Sequence, residues 1–277
     1  VLRRLAILAL IAIPARAAAG GSIEEAITRM YDFDFVGSHR ILDQYIAAHP
    51  ADPLPYAFTA SAYLFSELDR LGILESEFLV DDEQIAAKKK RLDPDPVTRR
   101  RFLIAVADVE SRAGAILKTN PNDKDALFAM CVAQGVSTDY MAFVEKRQIS
   151  SLGLARRSNG YAQRLLRLDP KFYDAYLTAG INEYLLGSLP FFVRWFVHFE
   201  NIDGNKQKGI ERLQLVAREG LYFRPFAKIL LGIIALREKR PRDAQRLLAE
   251  LSHDYPDNPL FRNELAKVNA RIASSGN

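Results

Sequence analysis

Apolar residues return every three or four positions along most of the chain, the spacing that gathers them on one side of an α-helix. Prolines and short polar clusters interrupt the pattern at similar places. The stretch from Tyr222 to Phe261, YFRPFAKILLGIIALREKRPRDAQRLLAELSHDYPDNPLF, shows the unit most fully. It predicts a helix from Pro225, a turn over Glu238 to Asp243, and a second helix with Pro241 at its start, where proline is best tolerated. Pro256 ends that helix, because it has no N–H to donate and clashes with the preceding turn. Gly232 and Ala244 are the small residues of the two helices, so they are the expected point of closest approach.

The closing proline recurs at Pro50, Pro121 and Pro170. Twelve residues before the four prolines stand Ser38, Val109, Ser158 and Ala244; five before stand Tyr45, Ile116, Leu165 and Leu251. The chain therefore divides into helical hairpins over Ile23–Ala48, Pro53–Thr119, Asp125–Leu168, Tyr173–Glu219 and Pro225–Asp254, followed by a polar final helix over Pro259–Ala273. The intervals between the prolines are unequal, 71, 49 and 86 residues. The excess is expected between the two helices of individual hairpins, near residues 72–97, 140–151 and 188–203.

These positions carry a family likeness. Leu231-Gly232, then Ala244, Leu248 and Pro256, keep the order of the tetratricopeptide (TPR) pattern. Tyr56-x2-Thr59-Ala60-x2-Tyr63 and Tyr176-x2-Ala179-Gly180 keep its first-helix outline. The chain resembles TPR proteins, which implies an all-α fold, a right-handed superhelical stack of antiparallel helix hairpins, in one domain over residues 20–277. From Leu185 to Phe261 it is also similar to the group of tetratricopeptide protein 39 and the inclusion-body-clearance protein. That group's glycine-aspartate-arginine turn is replaced here by Asp203-Gly204-Asn205-Lys206. The resemblance implies a non-catalytic scaffold for a protein or peptide partner, and supplies no catalytic residue.

Composition changes this picture at the amino end. Arg3-Arg4, an apolar run from Leu5 to Pro14, and Ala15-Arg16-Ala17-Ala18-Ala19 read as a signal peptide over residues 1–19, cleaved after Ala17 or Ala19; an uncleaved anchor is the alternative. A periplasmic or secreted protein is then expected, without a cysteine for lipid attachment. Loss of Arg3, Arg4 and Arg16 leaves 35 basic residues against 34 acidic ones, a net charge of about +1. That balance argues against nucleic acid as a partner. Cys131, the single cysteine, lies in an apolar run and reads as a small buried residue.

Candidate chemistry is sparse. The histidines, 39, 49, 198 and 253, are dispersed, and HExxH, P-loop, GxGxxG and GxSxG patterns are missing. No enzyme, cofactor or metal site is expected. The basic runs Lys88–Arg91 and Arg99–Arg101 share an insertion with acidic residues and read as a solvated face. Phe192, Trp195, Phe196 and Phe199 share one face of a short helix in Leu189–Phe199. That ridge either packs on its neighbours or docks on a partner or a membrane surface.

The inner face of a TPR array is built from first helices. Here it offers Ala57, Ser61, Leu64, Phe128, Val132, Gly135, Leu177, Ile181, Tyr184, Ile229, Ile233 and Leu236, and lacks the basic and amide clamp that some relatives use on peptide ends. Asp139, Tyr140, Thr178, Asn182, Tyr184 and Arg237 are the polar candidates for contacting a partner. Two functions remain open: a scaffold for a protein or peptide in the cell envelope, or a module holding a lipid or small apolar ligand between the aromatic insertion and the inner face.

Overall fold

In a computed structural model the chain is described over residues 21–75, 93–188 and 204–275. These residues form 11 helices and no strand. The helices are α1 (Ile23–Tyr31), α2 (Phe35–Ala48), α3 (Leu54–Arg70), α4 (Pro96–Thr119), α5 (Lys124–Asp139), α6 (Gln148–Leu168), α7 (Tyr176–Ser188), α8 (Lys206–Glu219), α9 (Arg224–Arg237), α10 (Pro241–Asp254) and α11 (Pro259–Ser275). Helices next to each other in the chain pack in pairs, α1 on α2, α3 on α4, α5 on α6, α7 on α8 and α9 on α10, with α11 against α10. The hairpin boundaries expected from the prolines fall on these pairs. Residues 1–19, read as a signal peptide, residues 76–92 of the first expected insertion, and Phe192, Trp195, Phe196 and Phe199 of the expected ridge lie outside the described residues.

Local chemistry starts several of the helices where the sequence turns polar. Ser22, Asp34, Asp95, Asp123 and Asn205 are N-caps whose side chains accept from the amide three residues on, at 2.7–3.2 Å. Each such cap stabilises its helix by about 1 kcal/mol. α5 is deeply placed, like α3: Ala126 to Gln134 is buried without a break. With the following turn it is long and apolar enough to cross a membrane, yet 61% of that apolar window is buried in the core. The expected insertion at 140–151 is smaller than the spacing suggested. It is a π-helical turn over Tyr140–Val144 and a short link to α6.

One expectation about packing is corrected. A Cβ placed on Gly232 would meet nothing within 4 Å, so α9 and α10 do not touch there, although Ala244 is fully buried against Ala235, Leu236 and Val268. The tight crossing is between α7 and α8. A Cβ on Gly209 would lie 2.6 Å from the Tyr184 amide nitrogen and 2.7 Å from the Gly180 carbonyl. Here two backbones meet with no side chain between them.

Two polar arrangements tie distant parts of the chain together. Glu67, 1% exposed, accepts from Arg70 through both oxygens at 2.7 and 2.9 Å and from the Asp95 amide at 2.9 Å. It joins the end of α3 to the start of α4 across the insertion. Asn258, fully buried, donates to the Tyr31 carbonyl at 2.6 Å and accepts from the Leu260 amide at 2.9 Å. The end of α1 is thereby joined to the entry of α11. Asn258→Ala is expected to cost about 2 kcal/mol in a urea melt, because the Tyr31 carbonyl and the Leu260 amide both lose a buried partner.

Candidate functional site

A cavity of ≈ 110 Å³ opens between α3, α5 and α7, with α6 behind it. Five of the twelve inner-face positions read from the sequence line it: Ser61, Val132, Gly135, Leu177 and Ile181. They reach it because α3, α5 and α7 are first helices, each turning the same side toward its neighbours. The remaining wall was not legible in advance. Met30 and Tyr31 come from the end of α1, and Phe223 and Phe226 from the entry to α9. Phe226 packs edge-on against Phe65 at 5.6 Å, and Phe223 against Phe128 at 5.7 Å, so these walls are held by aromatic contacts. Burial pushes the Tyr31 phenol well above its ordinary range, and the ring stays neutral.

Asp139, Thr178 and Asn182 line this cavity together. Asp139 is the last residue of α5, and its side chain makes no hydrogen bond or ion pair with the described residues. Burial alone drives its carboxyl up to about 7. The amide nitrogen of Asn182 is buried without a hydrogen-bond partner. Thr178 Oγ1 lies 3.4 Å from Cys131 Sγ, and Ser158 Oγ donates to the Cys131 carbonyl at 2.9 Å. The Cys131 thiol is buried and its pKa raised, so it is a wall rather than a nucleophile.

The Asp139 shift has a pH consequence. Its folded pKa lies above the unfolded value of 3.8, so the folded state holds the proton more tightly. Stability from this group is full below pH ~4, falls as pH rises toward about 7, and is level beyond. Asp139→Asn removes the dependence. It is expected to raise stability by about 1–2 kcal/mol at pH 8 relative to pH 5, allowing for partial solvent access; urea melts at the two values measure it.

The other polar candidates lie elsewhere. Tyr140 stacks on Phe102 with ring centroids 4.5 Å apart and belongs to the core. Tyr184 donates to Glu238 Oε1 at 3.2 Å, and Lys206 meets the same oxygen at 2.7 Å, so α7, α8 and the end of α9 are pinned together. Arg237 is the last residue of α9 and does not line the cavity.

A second, more open cleft of ≈ 560 Å³ lies at the ends of α1, α3 and α5. Glu24, Asp52, Asp123 and Asp125 face it beside Tyr45 and Tyr222, and burial with the neighbouring Asp123 and Asp52 raises the Asp125 carboxyl. No local pattern marks it, since these carboxylates come from the first turns of α1 and α5, the α5 cap and the loop before α3. Among the described residues no group of three or more His, Cys, Asp or Glu side chains is placed to hold a metal ion.

Comparison of the chain with family models, with curated proteins and with solved structures finds no match. The likeness to TPR proteins rests on the residues and spacings themselves.

Proposed function

We propose that this chain is an exported, non-catalytic binding module of the TPR type, and that it takes a small apolar ligand in the cavity between α3, α5 and α7. The observation that carries this reading is the cavity: mostly apolar walls, a few convergent polar groups, and a carboxyl with a strongly raised pKa at its edge. That combination is the usual signature of a ligand site. The scaffold reading, in which an extended peptide lies along the inner face, fits less well, because Met30 and Tyr31 already occupy that side. Its place would be the outer surface or the aromatic ridge. No nucleophile–base pair accompanies Asp139, so the reading includes no reaction.

Gly135 supplies the test. It lines the cavity, and a Cβ there would meet only Ser158 Oγ, at an unstrained 3.6 Å. Gly135→Leu puts apolar atoms into the space a ligand needs. Small apolar compounds that raise the melting temperature of the native protein should leave this variant unmoved. A screen in which no such compound shifts the native protein would sink the proposal. Gly135→Ala, the milder change, removes a helix-interior glycine and is expected to stabilise by about 1 kcal/mol.

A further inference from the structure

Among the described residues, the lining of the cavity contains one carboxyl group and no lysine, arginine or histidine. A half-buried acid of this kind, with no counterion beside it, is an unbalanced group. Building on the ligand-site reading above, we propose that the cavity selects a compact apolar amine, whose ammonium pairs with Asp139 while its hydrocarbon body lies between α5 and α7.

Three observations converge on this chemistry. The side chain of Asp139 has no protein partner among the described residues, and burial without any opposing cation accounts for its raised pKa. Tyr31, Phe65 and Phe226 give the cavity aromatic walls, surfaces that favour a cation. Asn182 brings an amide whose nitrogen lacks a partner; turning it about its last torsion would present the oxygen to an ammonium instead. An anionic ligand would face the carboxylate with no compensating charge. Size narrows the class further. A cavity of about 150 Å³ accommodates benzene, so ≈ 110 Å³ suits a body of about five carbons rather than a lipid chain.

The experiment is calorimetric titration of the full chain with 3-methylbutylamine, its neutral isostere 3-methylbutan-1-ol, and 3-methylbutanoate, at pH 8. The amine is expected to bind about tenfold more tightly than the alcohol, the scale of one charge-assisted contact, and the acid weakest. Asp139→Asn should abolish the amine's advantage over the alcohol, and Gly135→Leu should abolish binding of both. Equal affinity for amine and alcohol, or an advantage that survives Asp139→Asn, overturns the amine proposal and leaves the ligand-site reading intact. If none of the three binds, both fall.

Discussion

Asp174→Ala is expected to destabilise the protein by about 3–5 kcal/mol in equilibrium urea unfolding, the range for breaking a buried charged hydrogen-bond network. Asp174 sits in the 3-10 turn ahead of α7 and is 5% exposed. Its two oxygens accept from three successive amides, Leu221 at 2.9 Å, Tyr222 at 3.1 Å and Phe223 at 2.8 Å. These amides lead into the first turn of α9, where a helix leaves N–H groups without internal partners and favours a negative charge. Alanine removes all three acceptances at once. Leu221 is exposed and Tyr222 and Phe223 are half-buried, so part of the stranded donors' desolvation cost remains. Tyr222 and Phe223 follow directly from this anchor, and both rings pack on Phe58 and Phe128. The variant should therefore also weaken ligand binding in the cavity that Phe223 and Phe226 enclose. A loss below about 1 kcal/mol would show that the three hydrogen bonds do not anchor α9.

Gly209→Val is expected to cost about 3 kcal/mol or more, as overpacking against unyielding neighbours does. The added Cβ would fall inside contact distance of Tyr184 and Gly180 main-chain atoms, which cannot rotate away. α7 and α8 would have to separate. α7 carries Leu177, Thr178, Ile181 and Asn182 into the cavity, so the displacement should reach the binding site as well. The same geometry ranks three glycines. Gly180→Ala meets Gly209 O at 3.0 Å and Leu213 Cγ at 3.1 Å and should be milder, whereas Gly232→Ala meets open space and should be neutral or slightly stabilising. Thermal melts of the three variants give the order directly. A Gly232 variant as damaging as the Gly209 one would contradict it.

The hairpins were readable because both of their markers act locally. Proline beyond the first turn ends a helix, and an Asp, Asn or Ser cap starts one using only the next three amides. The close-approach glycines were readable only in part, Gly180 as a small residue of the first-helix outline. Gly180, Gly209 and Gly232 all stand inside helices, and which of them meets a neighbouring backbone depends on crossing geometry between helices. Of the six polar candidates, Asp139, Thr178 and Asn182 line one cavity, and polar groups on such a helix face are conspicuous in the sequence. Tyr140 and Tyr184 looked equivalent to them in sequence, yet one is stacked into the core and the other is committed to Glu238.

From its own order of residues this chain specified α-helices and their pairing into neighbouring hairpins, because helix periodicity and stop signals operate over a few residues. Only the tertiary structure decided that the end of α1 would close the inner face, through Tyr31 and Asn258, 227 positions apart. It also left Asp139 with no partner among the described residues, beside aromatic walls from three other helices. Contacts at that separation depend on how the helices accumulate rotation along the stack, and no local pattern records that sum.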